Sequence, residues 1–320
     1  MLLDLFKEKR CFKLICGAGN EDISEIEKLV ALYSKAGCNF FDLSAKPEVV
    51  EAAKRGLKRA GIEKDRYLCC SVGIKDDPHV NKVEINSDTC ILCGVCTKEC
   101  PQNAIFQGIK SYEINKTRCI GCSRCLRACP TGSIVLQSEQ KDFEDVLPPV
   151  ISKGIDCIEF HISGKDEINE KWEKINSLFD GVLSICINRS KFGDEEIIAK
   201  IKELLKVRKP YTTIIQADGA PMSGGKDDYK TTLQTVAAAE IFQNAALPAY
   251  IILSGGTNSK STELAKMCSV EINGVAIGSY ARKIVREYID RDDFFENQEV
   301  FNKALEIAQN LVSISLRNLQ

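Results

Sequence analysis

Two cysteine runs decide how this chain is read. They are Cys90-Ile91-Leu92-Cys93-Gly94-Val95-Cys96-Thr97-Lys98-Glu99-Cys100-Pro101 and Cys119-Ile120-Gly121-Cys122-Ser123-Arg124-Cys125-Leu126-Arg127-Ala128-Cys129-Pro130. Both follow C-x2-C-x2-C-x3-C-P, and the copies align without a gap at an offset of 29 residues, Cys90 onto Cys119. The flanks repeat as well. Val83-Glu84-Ile85-Asn86 matches Tyr112-Glu113-Ile114-Asn115, and Asn103-Ala104-Ile105 matches Gly132-Ser133-Ile134. Such an internal repeat marks one structural unit used twice. Each copy reads as short strand, cysteine loop, short helix and short strand. The whole chain holds 16 cysteines in 320 residues, and a chain of that length buries a core without covalent staples. In a reducing compartment, cysteine this dense signals metal or redox chemistry rather than disulfides.

The spacing resembles that of bacterial two-cluster ferredoxins, in which three thiolates of each run hold one cube and the fourth ligates the other. That resemblance implies Cys90, Cys93, Cys96 and Cys129 for one [4Fe–4S] cluster, and Cys119, Cys122, Cys125 and Cys100 for the second. Iron corners favour soft thiolates. Gly94 and Gly121 let the backbone approach the sulfurs, and Pro101 and Pro130 redirect the chain without an N–H. Zinc is the competing reading, but zinc sites show paired C-x2-C knuckles. A radical-SAM site needs C-x3-C-x2-C, which neither run supplies. Residues 79–140 hold seven Lys/Arg and five Asp/Glu. A free electron carrier is typically acidic, so this balance suggests a module docked on its own chain or an acidic partner, or a solvated face of no consequence.

Outward from the module, apolar runs alternate with helical stretches. Strands are expected at Leu14–Gly19, Asn39–Ser44 and Tyr67–Gly73, then at Cys157–Ile162, Val182–Asn188, Thr212–Ala217, Ala249–Leu253 and Gly274–Ile277. Helices are expected over Ile23–Ala36 with Gly37 as a stop, and from Pro47 to about Ala60. Others cover Asp194–Val207, Leu233–Gln243 and Ser261–Cys268. Eight strands in βα alternation predict a (β/α)8 barrel, and about 255 residues outside the insertion suit it. The weak link is Asp142–Lys153, short and carrying Pro148-Pro149, which leaves a doubly wound open sheet as the alternative. The expected divisions are residues 1–78 and 141–320 for the barrel and 79–140 for the module. Residues 296–316 put Val300, Phe301, Ala304, Leu305, Ala308, Leu311, Val312 and Leu316 on one helical face, suited to packing on the barrel. An insertion after the third strand lies in a βα loop, on the face where barrel active sites sit.

Polar strand ends at that face are Asp42, Ser44, Glu159, His161, Asn188, Arg189, Gln216, Asp218, Ser254 and Asn258. Glu159 and His161, two apart on one strand, share a face and form a candidate acid/base pair or a satisfied structural pair. Glycine loops follow strands seven and eight, where such barrels often bind phosphate. Gly255, Gly256, Gly278 and Ser279 are therefore candidates for a phosphate or FMN site, in the manner of flavin-binding barrels such as the dihydroorotate dehydrogenase group. Gln216–Gly225 is a third glycine-rich loop. Catalytic residues are not assigned, since no cysteine or lysine signature of those enzymes is present. The remaining cysteines, Cys11, Cys16, Cys38, Cys69, Cys70, Cys157, Cys186 and Cys268, read as small core hydrophobes, with Cys16 and Cys70 near strand ends the two to watch.

A net charge of −2 and a pI of 5.9 argue against nucleic-acid binding by bulk charge. No apolar run is long enough for a membrane span. Charges interrupt the apolar start Met1–Arg10, unlike a signal peptide, so a cytoplasmic protein is expected.

The order of parts resembles the cyanobacterial light-dependent period (LdpA) family. The resemblance rests on Ile15-Cys16-Gly17-Ala18-Gly19, the tandem cysteine runs, Ala217-Asp218-Gly219-Ala220-Pro221-Met222-Ser223-Gly224-Gly225, and Ile252-Leu253-Ser254-Gly255-Gly256-Thr257-Asn258. It implies an iron–sulfur protein that feeds cellular redox state, and hence light, into the circadian clock through clock input components. The alternative is an oxidoreductase whose clusters relay electrons to a flavin at the barrel mouth. A plain electron carrier is disfavoured, because a barrel is superfluous for that task.

Overall fold

The computed structural model describes residues 1–17, 19–73, 81–138, 142–189, 192–220, 223 and 225–319. The expected divisions at 78/79 and 140/141 fall outside these residues, as do Ala18 of the first loop and Pro221, Met222 and Gly224 of the third glycine loop. The strands are β1 (Cys11–Ile15), β2 (Phe40–Ser44), β3 (Tyr67–Gly73), β4 (Asn81–Ile85), β5 (Ile105–Gln107), β6 (Tyr112–Ile114), β7 (Ile134–Ser138), β8 (Cys157–Ile162), β9 (Val182–Asn188), β10 (Thr213–Asp218), β11 (Tyr250–Ser254) and β12 (Gly274–Ile277). The first seven helices are α1 (Leu2–Lys7), α2 (Ile23–Lys35), α3 (Pro47–Ala60), α4 (Val95–Glu99), α5 (Arg124–Ala128), α6 (Phe143–Ile151) and α7 (Ile168–Leu178). The others are α8 (Asp194–Leu205), α9 (Tyr229–Asn244), α10 (Ser261–Met267), α11 (Ser279–Ile284), α12 (Arg286–Ile289) and α13 (Gln298–Arg317).

β1, β2, β3, β8, β9, β10, β11 and β12 close into one barrel. Every neighbouring pair is parallel, with β12 returning to β1. Closure rules out the open sheet. The cysteine module follows β3 and builds two small antiparallel sheets, β4 with β7 and β5 with β6.

The doubtful helix α6 forms with both prolines inside it. Only the carbonyls of Glu144 and Asp145 lose their intrahelical donors, and they lie in the first turn of a half-exposed helix, where water reaches them. β1 begins at Cys11 rather than Leu14, so Lys13 lies within the barrel wall. The apolar layer between strands and helices is continuous. α13 contributes Phe301, Ala304, Ala308, Leu311 and Val312 to it and packs on α2 and β1.

α1 has a structural role that the sequence did not announce. Leu2, Leu5 and Phe6 plug the N-terminal end of the barrel, packing with Phe40, Ile214, Ile252 and Ala276. The Phe6 ring lies 5.7 Å from Tyr250 and 6.0 Å from Phe40. Phe6→Ala should therefore cost about 3–5 kcal/mol, as for other buried aromatic truncations. Urea unfolding followed by far-UV circular dichroism checks this, and a loss below about 1 kcal/mol would make the plug dispensable.

Candidate functional site

The cysteine runs fold as true copies. α4 and α5 occupy equivalent places in the repeat. Each opens on a left-handed residue, Gly94 (φ 73°) and Ser123 (φ 57°). A side chain at Gly94 would meet the Tyr112 hydroxyl at 3.0 Å, so the glycine lets the loop close over that ring. The eight thiols gather into two cavities. One is lined by Cys90, Cys93, Cys96 and Cys129, with Ile85, Ile91, Tyr112 and Ile134 as apolar wall. The other is lined by Cys119, Cys122, Cys125 and Cys100, with Val83, Ile105, Ile114 and Ile120. Each cavity thus takes three thiols from one run and the fourth from the other. Four soft donors around an apolar hollow are the ligand set an iron–sulfur cube requires, so these residues could hold two of them. Burial pushes the Cys125 thiol up to about 12. The Ala104 N–H donates to Cys100 Sγ at 3.3 Å.

The module is bound to the barrel by charge. Glu25 of α2 is almost wholly buried and accepts from Arg118 (3.0 Å), Arg286 (2.8 Å) and Gln102 (3.4 Å). Burial pushes its carboxyl up, but the Arg286 and Arg118 guanidiniums more than offset this and hold it below its ordinary value. Arg118 also pairs with Asp290 and, at 3.3 Å, with Asp22. Lys82 donates to the carbonyls of Gly19 and Cys119, and Glu21 N–H donates to Thr117 O at 2.7 Å. Arg282, buried at the seam, donates to Ile15 O (2.5 Å) and Gln102 Oε1 (3.2 Å). Burial, with Arg286 beside it, lowers its guanidinium below the ordinary value, and Glu25 and the module's Cys122 oppose that shift.

Between module and barrel face lies a cleft of about 950 Å³ lined by Cys100, Lys226, Lys230, Ser279, Lys283 and Arg286, among others. Ser279 reaches it. Gly255 and Gly256 instead lie under the β10–α9 loop: both have positive φ (67° and 80°), and a side chain at Gly256 would come within 2.2 Å of Thr231 O. Gly278 ends β12 against Ile15 and Arg282.

Inside the barrel, several of the polar strand ends meet. Lys13, fully buried, pairs with Glu159 and stands 3.6 Å from Asp42. Burial alone would depress its ammonium, but Asp42 and Glu159 reverse that and raise it. Ser71 donates to Asp42, and Ser184 to Glu159 Oε2 at 3.1 Å. His161 Nε2 lies 2.7 Å from Glu159 Oε1. Burial opposes ionisation of Glu159, but Lys13 and His161 outweigh it and hold the carboxyl far below its ordinary value. Ser44 donates to Asn20 O at 3.0 Å. Arg189 pairs outward with Asp194 at 2.8 Å, and Asn258 holds the end of the β10–α9 connection through Lys226 O and Asp228 O. The side chain of Asn188 lies outside the description. Lys13 went unnoticed in the sequence, although a lone lysine between Phe12 and Leu14 is the mark of an interior polar layer. The expectation of a buried Cys268 fails, because Cys268 follows α10 on the surface.

A model of the light dependent period A C-terminal domain matches residues 150–314, and a 4Fe-4S dicluster domain matches residues 82–130. Light dependent period A of Synechococcus elongatus is 30% identical over 332 aligned positions, spanning 98% of this chain and 91% of that protein. The chain belongs to the light dependent period A family. The family match thus runs from α6 into α13 and is independent of the cysteine runs. Among solved structures, the YdjI aldolase from Escherichia coli K12 has a TM-score of 0.50 at 7% identity, covering 100% of this chain and 94% of its own. A truncated 3-deoxy-D-arabino-heptulosonate 7-phosphate synthase from Thermotoga maritima has a TM-score of 0.48 at 12% identity, covering 95% and 84%. At such identities the aldolase shares the barrel fold with this light dependent period A family member and nothing more. Among the described residues, no helix is long and apolar enough to cross a membrane.

Proposed function

We propose that this chain is a cytoplasmic redox-sensing protein carrying two [4Fe–4S] clusters. Cys90, Cys93, Cys96 and Cys129 would hold one, and Cys119, Cys122, Cys125 and Cys100 the other. Residues 79–140 form the inserted unit. Its output goes to a protein partner, a clock input component in keeping with the family. The observation that supports this reading is the crossed pair of thiol quartets in a module tied to the barrel by buried charge. Each cluster, when bound, accepts or gives up one electron and so alters the charge of the module. The chain supplies the response. Arg282 meets added negative charge near Cys122 with a buried cation, and Gln102 links Arg282 to Arg286 and Glu25 at the seam. A partner reading the module–barrel seam would then bind one redox state more tightly. Proteins captured from the native cell extract by oxidised and by dithionite-reduced protein test this. At least one partner should differ several-fold in recovery and be lost with Cys125→Ala; identical recovery in all three would refute it.

The cationic cleft supports a second reading. A phosphate-bearing flavin such as FMN would find Lys226, Lys283 and Ser279 there, with Cys100 on the same wall. The chain would then be an iron–sulfur oxidoreductase. Flavin fluorescence after denaturing anaerobically purified, FMN-reconstituted protein decides: one flavin per chain supports the enzyme, and none eliminates it.

A further inference from the structure

We propose that Glu159, His161 and Cys186 form a further metal site, for one divalent ion of the zinc class, at the C-terminal end of the barrel and separate from the cysteine module. Glu159 and His161 lie two apart on β8 and so share its inward face, and Cys186 stands beside His161 in the β8–β9 register. One ligand atom from each lies within 4.8 Å of the other two. A carboxylate oxygen, an imidazole nitrogen and a thiolate sulfur make a borderline donor set, and three protein ligands leave a fourth position open, the arrangement of reactive rather than structural zinc.

The geometry needs little adjustment. His161 Nε2 and Glu159 Oε1 are 2.7 Å apart. Two ligands at ordinary zinc distances in a tetrahedron stand about 3.3 Å apart. His161 is the only one of the three that reaches the mouth, its side chain 22% exposed, so it can swing by that amount and gives an ion a way in. The other carboxylate oxygen, Oε2, is held by Lys13 and Ser184, which fixes Oε1 toward the site as supporting residues do around bound metals.

Charge and hydrogen bonding point the same way. Asp42 and Glu159 carry two negative charges against one on Lys13. Burial pushes the Cys186 thiol up to about 12, so a divalent ion would displace its proton and cancel both the carboxylate excess and the thiolate it creates. Asp218, lying against Gly255, adds to the negative potential at Cys186. Gln216, fully buried and in register with Cys186 on β10, keeps its Oε1 without a hydrogen-bond donor. Its Nε2 is turned to Ser184 Oγ at 3.4 Å. A water on the open metal position would give that oxygen its donor. The deeper group of Asp42, Cys69 and Glu159 does not compete, because the Lys13 ammonium already fills it.

The test uses the cluster-loaded protein, so that the eight module cysteines are occupied. After dialysis against a weak chelator it is titrated with zinc sulfate, with bound metal counted by mass spectrometry and the zinc shell read by X-ray absorption. One zinc per chain is expected, with iron unchanged and one sulfur among four ligands. His161→Gln and Cys186→Ala should each weaken binding by at least about 100-fold without loss of iron. His161 lies at the rim, so its variant remains informative if the core variant misfolds. No retained zinc, a four-sulfur shell, or His161→Gln binding as tightly as the parent would each overturn the proposal.

Discussion

Cys129→Ala is expected to abolish the cluster of the first run while sparing that of its own run. Cys129 sits in the second sequence repeat, yet its thiol lines the cavity of Cys90, Cys93 and Cys96. Cys100, from the first repeat, lines the cavity of the second. If ligation follows the cavities, iron should fall from about eight to about four atoms per chain in every single cysteine variant. The spectroscopic pairing then carries the discrimination. Cys129→Ala and Cys90→Ala should leave one and the same residual EPR signal on reduction, and Cys100→Ala and Cys119→Ala the other. The magnetic coupling of two reduced clusters should vanish in all four. Pairing by repeat, with Cys129→Ala matching Cys119→Ala, would refute the crossed arrangement. Alanine is the better probe than serine, because a serine oxygen can still ligate iron.

The physical reason for crossing is also why it could be read only through resemblance. A C-x2-C-x2-C loop can wrap three corners of a cube, but the x3 step passes through a helix, α4 or α5, which carries the last sulfur away to the neighbouring cavity. The barrel was legible for a different reason. β3, β8, β9 and β12 are short apolar runs between turn residues, and their limits agree with the expectation. β1 slipped by three residues because Lys13 looks like an exposed end, whereas it is an interior residue whose partners come from β2 and β8. α6 was doubted on its prolines, whose cost falls on two carbonyls open to water. The glycine loops were read as a phosphate or flavin site, and in the fold Gly255 and Gly256 lie close to neighbouring backbone and Asp218. Spacing cannot say whether a close approach is to a ligand or to the chain itself. The seam was invisible: Arg118 lies 93 residues from Glu25, and no local pattern links them.

That seam carries a large expected stability effect in a single carboxylate. Glu25 is 2% exposed and compensates two guanidiniums, Arg118 and Arg286, that are themselves largely buried. Removing one partner of a buried ion pair leaves the other desolvated and uncompensated, a cost of about 3–5 kcal/mol, against about 0–1 for an exposed pair. Glu25→Ala should therefore loosen the module while leaving the strands of the barrel formed. Hydrogen exchange should quicken around Glu21 and Thr117, whose backbone bond joins the two parts, and remain slow in β9 and β10. Arg118→Met should do less harm, because Arg286 still faces Glu25. The pH dependence has a definite sign. The native carboxyl ionises below its ordinary value of 4.5, so its contribution is complete above that pH and is lost as pH falls through the lowered native value. The gap in melting temperature between the parent and Glu25→Gln should thus be constant from neutral pH down to about 5 and narrow below 4.5. A gap that widens on acidification, or one equivalent to less than about 1 kcal/mol at neutral pH, would mean that apolar contact rather than this charge network binds the module to the barrel.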